Sequence, residues 1–323
     1  MKSTILLTGK TGQVGSELLR LLPELGRVIA PARHELDLLN SDDIRRAVRH
    51  IRPQLIVNAA AYTAVDEAEN DEGNAHAINA HAAAVLAEEA EKIGAGIVHY
   101  STDYIFDGSK AAPYEETDAP NPVNVYGRTK LAGEQAIRTS GVPHLIFRTA
   151  WVYAAHGRNF LLKVLRLATE REELRIVRDQ IGAPTCSSDI ASASVRVLTG
   201  LHERGTGHFA ISNVSGTYHM TAAGETTWYD FAYAILEHAA RTPHHVSWFA
   251  DAIGQRPLIT RRIIPVTTAG YPTPASRPAY SVLSNSRFIR TFCFGLPDWQ
   301  TQLQGLFSKE REINQVADAQ SVG

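Results

Sequence analysis

A doubly wound α/β fold, with a parallel sheet followed by a second, smaller C-terminal α/β lobe, is predicted by three observations. Short apolar runs alternate with helix-patterned stretches through the first half of the chain, a glycine-rich turn joins the first run to the first helical stretch, and this regularity fades past residue 150. Alternation of this kind specifies βαβ units. Their strands are covered on both faces, so they read as continuous apolar runs.

The runs predict strands over 5–8, 28–30, 55–58, 97–101 and 145–148. Between the third and fourth, residues 75–92 are rich in alanine and glutamate, with Ile78, Ala82, Val85 and Leu86 at near-helical spacing, which predicts a crossover helix. Farther on, 160–171 is helix-patterned, Gly182-Ala183-Pro184 reads as a turn, and prolines through 265–278 predict loops over a site. The 323 residues suffice for a full sheet plus a lobe.

Composition narrows the function classes. Hydrophobic residues at 44% and charged residues at 20% describe an ordinary globular chain. A net charge of -2 without a basic run excludes the electrostatic footprint of a nucleic-acid binder. The two cysteines, Cys186 and Cys293, outline neither a disulfide framework nor a metal cage, and no metal is expected. No stretch approaches the roughly 20 apolar residues of a membrane span, and the N-terminal apolar run is too short for a signal peptide. A cytoplasmic protein is the expectation.

The turn Gly9-Lys10-Thr11-Gly12-Gln13-Val14-Gly15 follows the first strand and opens a helix bearing Leu18, Leu21, Leu22 and Leu25. Glycines there let backbone approach a pyrophosphate, whose charge is met by free N–H groups and the positive helix end. A dinucleotide is the expected ligand, although the spacing is G-x-x-G-x-x-G, and a tight turn without a ligand is the competing reading. Residues 1–150 are therefore expected to form the dinucleotide-binding domain, with later segments near 174–215 returning to it. The stretch 151–308 would be mainly the substrate lobe, and 309–323 a polar tail.

An NAD-selective site often ends its second strand with a carboxylate. Ala30-Pro31-Ala32-Arg33 has none, and Arg33 is placed to meet a 2′-phosphate, so NADPH is expected, with NADH the alternative; a solvated arginine competes. Asp37-Leu38 and Asn58-Ala59-Ala60-Ala61 are expected to border adenine and ribose, since small alanines let a flat cofactor lie close, with alanine serving simply for packing as the competing reading.

Tyr126 and Lys130 are spaced to share one helix face. An ammonium beside a phenol lowers its pKa toward proton exchange with a substrate oxygen. Ser101 and Thr102 fall at the C-terminal end of a predicted strand, where open parallel sheets bind ligands. Either would hold a carbonyl that Tyr126 protonates while a nicotinamide supplies hydride, with Lys130 on the ribose hydroxyls. An amphipathic surface helix is the alternative for the Tyr-Lys pair. Trp151 and Tyr153 are candidate aromatic platforms, with core packing as the alternative. Arg277 is a candidate for a substrate pyrophosphate, with a solvated arginine as the alternative.

These stretches, together with Val57 to Asp66, His99 to Asp107, Asn124 to Glu134, Phe147 to Tyr153, Asp179 to Thr185, Thr227 to Asp230 and Tyr271 to Pro274, resemble the extended short-chain dehydrogenases and, within them, the dTDP-4-dehydrorhamnose reductases. The resemblance spans nearly the whole chain and implies a Rossmann domain with a C-terminal substrate lobe. It implies reduction of the 4-keto group of dTDP-4-dehydro-L-rhamnose with NADPH or NADH. Thr102, Tyr126 and Lys130 then fill the catalytic triad. Gln13, Val14, Asp37, Leu38, Ala61, Tyr62 and Thr63 fall on cofactor positions. Thr102, Asp103 and Trp151 fall on substrate positions, with Tyr104 as a wall for the sugar. Some members form homodimers around magnesium through glutamates, and Glu17 sits at one such position, yet one carboxylate does not imply a metal. Two alternatives stand beside this reading: a sugar-nucleotide epimerase or another reductase of the same fold, and a non-catalytic NADP-binding regulatory subunit.

Overall fold

All five apolar runs become neighbours in one parallel sheet. The computed structural model describes residues 3–203 and 205–308, so the tail 309–323 lies outside the described residues. The strands are β1 (Ser3–Thr8), β2 (Gly26–Ile29), β3 (Leu55–Asn58), β4 (Gly96–Thr102), β5 (His144–Thr149) and β6 (Gly216–His219), in the order β6-β5-β4-β3-β1-β2. Every neighbouring pair is parallel. The edge strand β6 has no counterpart among the predicted runs. It is short and carries polar Thr217 and His219, so its membership is set by pairing with β5.

Alternate residues of the strands feed opposite layers, as a period of two requires. Ile5, Leu7, Val57 and Val98 pack with Leu18 and Leu22 from α1 (Gln13–Leu21) and its following turn, while Leu6, Ile56 and Ile97 face Ile44 and Val48 of α2 (Ser41–Ile51). The second layer also holds Val85, Leu86 and Ala90 of α3 (Ala82–Ile93) and Ile137 of α4 (Val125–Thr139). Helix α5 (Ser187–Leu201) joins the α1 layer through Ile190 and Leu198. Burial of both faces is the reason the interior strands β1 and β3 read as nearly unbroken apolar runs.

The predicted crossover helix is interrupted. Residues Ala77–His81 form a π-helical turn before α3, which buries Asn79 completely. The Asn79 side chain accepts from the Tyr62 backbone N–H at 2.8 Å and donates to the Tyr62 carbonyl and the Thr129 hydroxyl. One wide turn thereby ties the loop after β3 to α4, in keeping with the frequent placement of π-bulges beside functional sites.

A second core gathers Leu161, Leu165, Leu174, Phe231, Phe249 and Leu303. Its sheet is the parallel pair Glu173–Val177 and Arg262–Val266. The stretch 174–215 thus divides, because Leu174 and Ile176 enter this core while α5 enters the first, and Phe288 and Leu296 return to the first from still farther along. Within the prolines expected to form loops, Pro265 instead lies in a strand. That strand pairs on one side only, so the missing N–H costs no ladder bond. Among the described residues no helix is long and apolar enough to cross a membrane.

Candidate functional site

A groove of about 540 Å³ runs along the C-terminal ends of β1 to β5, from the glycine turn at one end to Tyr126 and Lys130 at the other. At the turn, Gly9 adopts φ +76° and its carbonyl accepts from the Gly12 N–H at 2.9 Å. No side chain caps α1, so its first N–H groups remain available at the positive end of the helix. Gly9, Gly12, Gln13 and Val14 line this end, whereas Gly15 lies beneath it, packed on the Gly9 carbonyl.

Arg33, Asp37 and Leu38 border the groove beyond the turn, and Ala59, Ala60, Ala61 and Thr63 form its other wall. Lys10 lines the same end and donates to the Ala30 carbonyl at the tip of β2, at 2.8 Å. Two cations therefore stand near the end of β2, where an NAD-selective protein places a carboxylate. Tyr62 does not reach the groove: its hydroxyl donates to Asp71 at 3.1 Å and its ring packs near Val125 and Tyr126. Arg158, from the loop after β5, also lines the groove, and that loop is pinned to the glycine turn by bonds from Asn159 to Gln13 and between Ser16 and His156.

The Tyr126–Lys130 pair sits at the other end. The Asn124 side chain accepts from the Gly127 N–H and starts α4, whose helical spacing brings Tyr126 and Lys130 to the groove. Burial pushes the Tyr126 phenol up to about 12, the neighbouring Thr102 hydroxyl works against this, and the Asp103 charge adds to it. This corrects the expectation of a phenol made acidic by Lys130. The ammonium is instead turned to the Tyr100 carbonyl at 2.6 Å and to Nε2 of His99 at 3.2 Å. Burial lowers Lys130 to about 8, and Glu134 one turn along α4 opposes the shift.

Beside the phenol, the Thr102 hydroxyl donates to Asp103 and accepts from the Tyr104 N–H. Tyr104 meets the Tyr126 ring edge-on at 6.0 Å. Burial raises the Asp103 carboxyl to about 7, outweighing the hydroxyls of Ser281 and Thr102 beside it. The native pKa thus lies above the ordinary 3.8, so the folded chain holds a proton that the unfolded chain has released, and stability falls as pH rises from about 4 through about 7. Asp103→Asn is expected to raise the melting temperature by an amount that grows across this window. At its alkaline end the gain is on the order of 2 kcal/mol, part of what a shift of this size is worth. A variant-minus-parent difference that stays flat with pH in thermal melts would assign the titration elsewhere.

Trp151 holds the left-handed backbone angle φ +46° and stacks on Trp228 with ring centroids 3.5 Å apart. A non-glycine residue in this region is strained, and such strain collects at binding sites. Trp228 lies in the Thr227–Asp230 stretch that carries the resemblance, but nothing in its local pattern announces Trp151 as its partner so far away along the chain. Tyr153 is not a platform: it is 1% exposed and packs on Phe231 in the second core. Arg277 is committed to a two-pronged pair with Asp66, at 3.0 and 2.8 Å, and lies beside Tyr104. Glu17 lies within reach of Arg20, one turn along α1.

The groove fits a dinucleotide. Added β-carbons at Gly9 and Gly15 would collide with backbone, an uncapped helix end faces the space, and cations stand at one end. Residues 1–312 match the family described as RmlD substrate binding domain. A dTDP-4-dehydrorhamnose reductase of Burkholderia thailandensis is 50% identical over 297 residues, covering 92% of this chain and 95% of that protein. One from Escherichia coli (strain K12) is 43% identical over 309 residues, covering 94% and 97%. The crystal structure of dTDP-4-dehydrorhamnose reductase from Bacillus anthracis in complex with NADP superposes with a TM-score of 0.81 at 33% identity, over 95% of this chain and 99% of that one. On the match along residues 1–312 and on these relatives, the chain belongs to the dTDP-4-dehydrorhamnose reductase family.

Proposed function

We propose that this chain reduces the 4-keto group of dTDP-4-dehydro-L-rhamnose to give dTDP-L-rhamnose, with NADPH as reductant and Tyr126 as proton donor. One observation carries the reading: a single groove joins an uncapped glycine turn to a protonated phenol. Bound NADPH supplies the hydride.

The chain's own residues supply position and a proton. The first-turn N–H groups of α1 hold the pyrophosphate, and Arg33 with Lys10 meets the 2′-phosphate. Lys130 holds the nicotinamide ribose. A phenol titrating near 12 stays protonated at neutral pH, as a donor must. Thr102 turns its hydroxyl proton from Asp103 to the carbonyl oxygen it shares with Tyr126, while Trp151 on its Trp228 backing forms an aromatic wall for the sugar. A chain of this length with only two cysteines fits a reducing, cytoplasmic setting.

Steady oxidation of NADPH in the presence of dTDP-4-dehydro-L-rhamnose, and none with UDP- or GDP-linked sugars, is the expected result. Turnover without net loss of NADPH would mark an epimerase, and binding without turnover a regulatory protein. In the same assay Arg33→Ser is expected to raise the KM for NADPH about tenfold and leave that for NADH nearly unchanged, since only the former carries the extra phosphate. Equal effects on both would remove Arg33 from the phosphate site.

A further inference from the structure

Lys130 is held from behind by a buried file of polar side chains crossing three elements. The Thr8 hydroxyl on β1 stands 2.7 Å from the Asn58 amide oxygen on β3, the Asn58 amide nitrogen stands 3.1 Å from Nδ1 of His99 on β4, and Nε2 of His99 stands 3.2 Å from Nζ of Lys130 on α4. None of the four side chains is more than 3% exposed. An ammonium has three donors and no acceptor. The Tyr100 carbonyl takes one and His99 a second, which leaves one for the groove that Lys130 lines.

Resting on the reductase reading, we infer that His99 is a positioning residue, whose neutral imidazole, oriented by Asn58, accepts from the Lys130 ammonium and leaves a single N–H aimed into the groove. For Nε2 to accept, the ring proton sits on Nδ1 and is donated to the Asn58 amide oxygen, with the amide turned end for end so that its oxygen in place of its nitrogen faces Nδ1. Thr8 both donates and accepts, so it satisfies whichever amide atom faces it, and turning the amide sacrifices only a long 3.3 Å bond from the Ala60 N–H. An imidazolium would set donor against donor. Burial and the Lys130 charge both press His99 toward the neutral form. The other groups facing this pair are few. Glu134 on α4 favours the ammonium but is itself bound to Arg148 on β5 and Arg138, and Tyr126 shares the groove wall. With Lys130 lowered to about 8, loss of a neutral acceptor moves its deprotonation into the neutral range.

The test compares His99→Gln, whose amide reaches the Nε2 position, with His99→Leu, which offers no acceptor. NADPH affinity is titrated by fluorescence without substrate from neutral to alkaline pH, and kcat is followed over the same range. The parent and the Gln variant are expected to share one alkaline limb, and the Leu variant to show it displaced downward by about one pH unit, with kcat on the alkaline side about tenfold lower. A purely structural role would lower the melting temperature and leave the limb where it is. Coincident limbs for parent and Leu variant overturn the inference, as does a Gln variant displaced as far as Leu. If the Leu variant does not fold, His99→Asn, whose shorter amide stops at the Nδ1 position, must show the displaced limb while Gln does not. A parent without turnover would fail the reductase reading alone, because the binding titration still decides the role of His99.

Discussion

Tyr126→Phe is expected to lower kcat by about 10³-fold while NADPH affinity and the melting temperature change little. Proton transfer from a positioned group contributes roughly 10²–10⁴ in rate, and here the phenol lines the groove with the Thr102 hydroxyl beside it. The ring itself is kept, so its edge contact with Tyr104 and its packing beside Tyr62 and Val125 survive the change. The loss therefore isolates one hydroxyl. Initial rates of NADPH oxidation, paired with cofactor titration, check it. A Phe variant that retains more than about a tenth of parental kcat would show that another group delivers the proton.

Gly15→Ala is expected to cost about 3 kcal/mol or more of stability and to weaken NADPH binding by at least about tenfold, the largest structural effect of any single methyl in the groove region. A β-carbon at Gly15 would lie 2.0 Å from the Gly9 carbonyl oxygen and 2.7 Å from its carbon. The turn has little room to retreat, because Gly9 lies so close to the Ala59 and Ala60 backbone that an added β-carbon there would come within 2.5 to 2.7 Å of it, and Gly9 holds a left-handed φ of +76°. The strand-to-helix turn must open, which carries the first N–H groups of α1 away from the phosphates. Gly73, in the helix Glu72–His76 with nothing near its would-be β-carbon, is the control: alanine there changes stability by about 1 kcal/mol or less. Denaturant melts of both variants decide the matter, and similar values for the two would mean the turn relaxes freely.

Much of the site was legible because its signals are local. A strand, a glycine turn and a helix follow one another within β1 and α1, and a four-residue spacing on one helix brings Tyr126 and Lys130 to the same groove. What escaped were features set by partners distant along the chain. Trp228 meets Trp151 only after the lobe has folded, and Asp66 captures Arg277 from across the molecule. The π-helical turn that buries Asn79 interrupts a stretch whose composition favours an unbroken helix.

The sequence by itself determined the parallel sheet, the dinucleotide turn and the pairing of the proposed proton donor, Tyr126, with Lys130 on one helix, because apolar runs, glycine spacing and helical phase are properties of neighbouring residues. Only the tertiary structure decided the electrostatics of that donor. Spacing placed an ammonium near the phenol, but pKa is governed by burial and by which acceptors the folded chain supplies, and here the Tyr100 carbonyl and His99 claim the ammonium while burial keeps the phenol protonated.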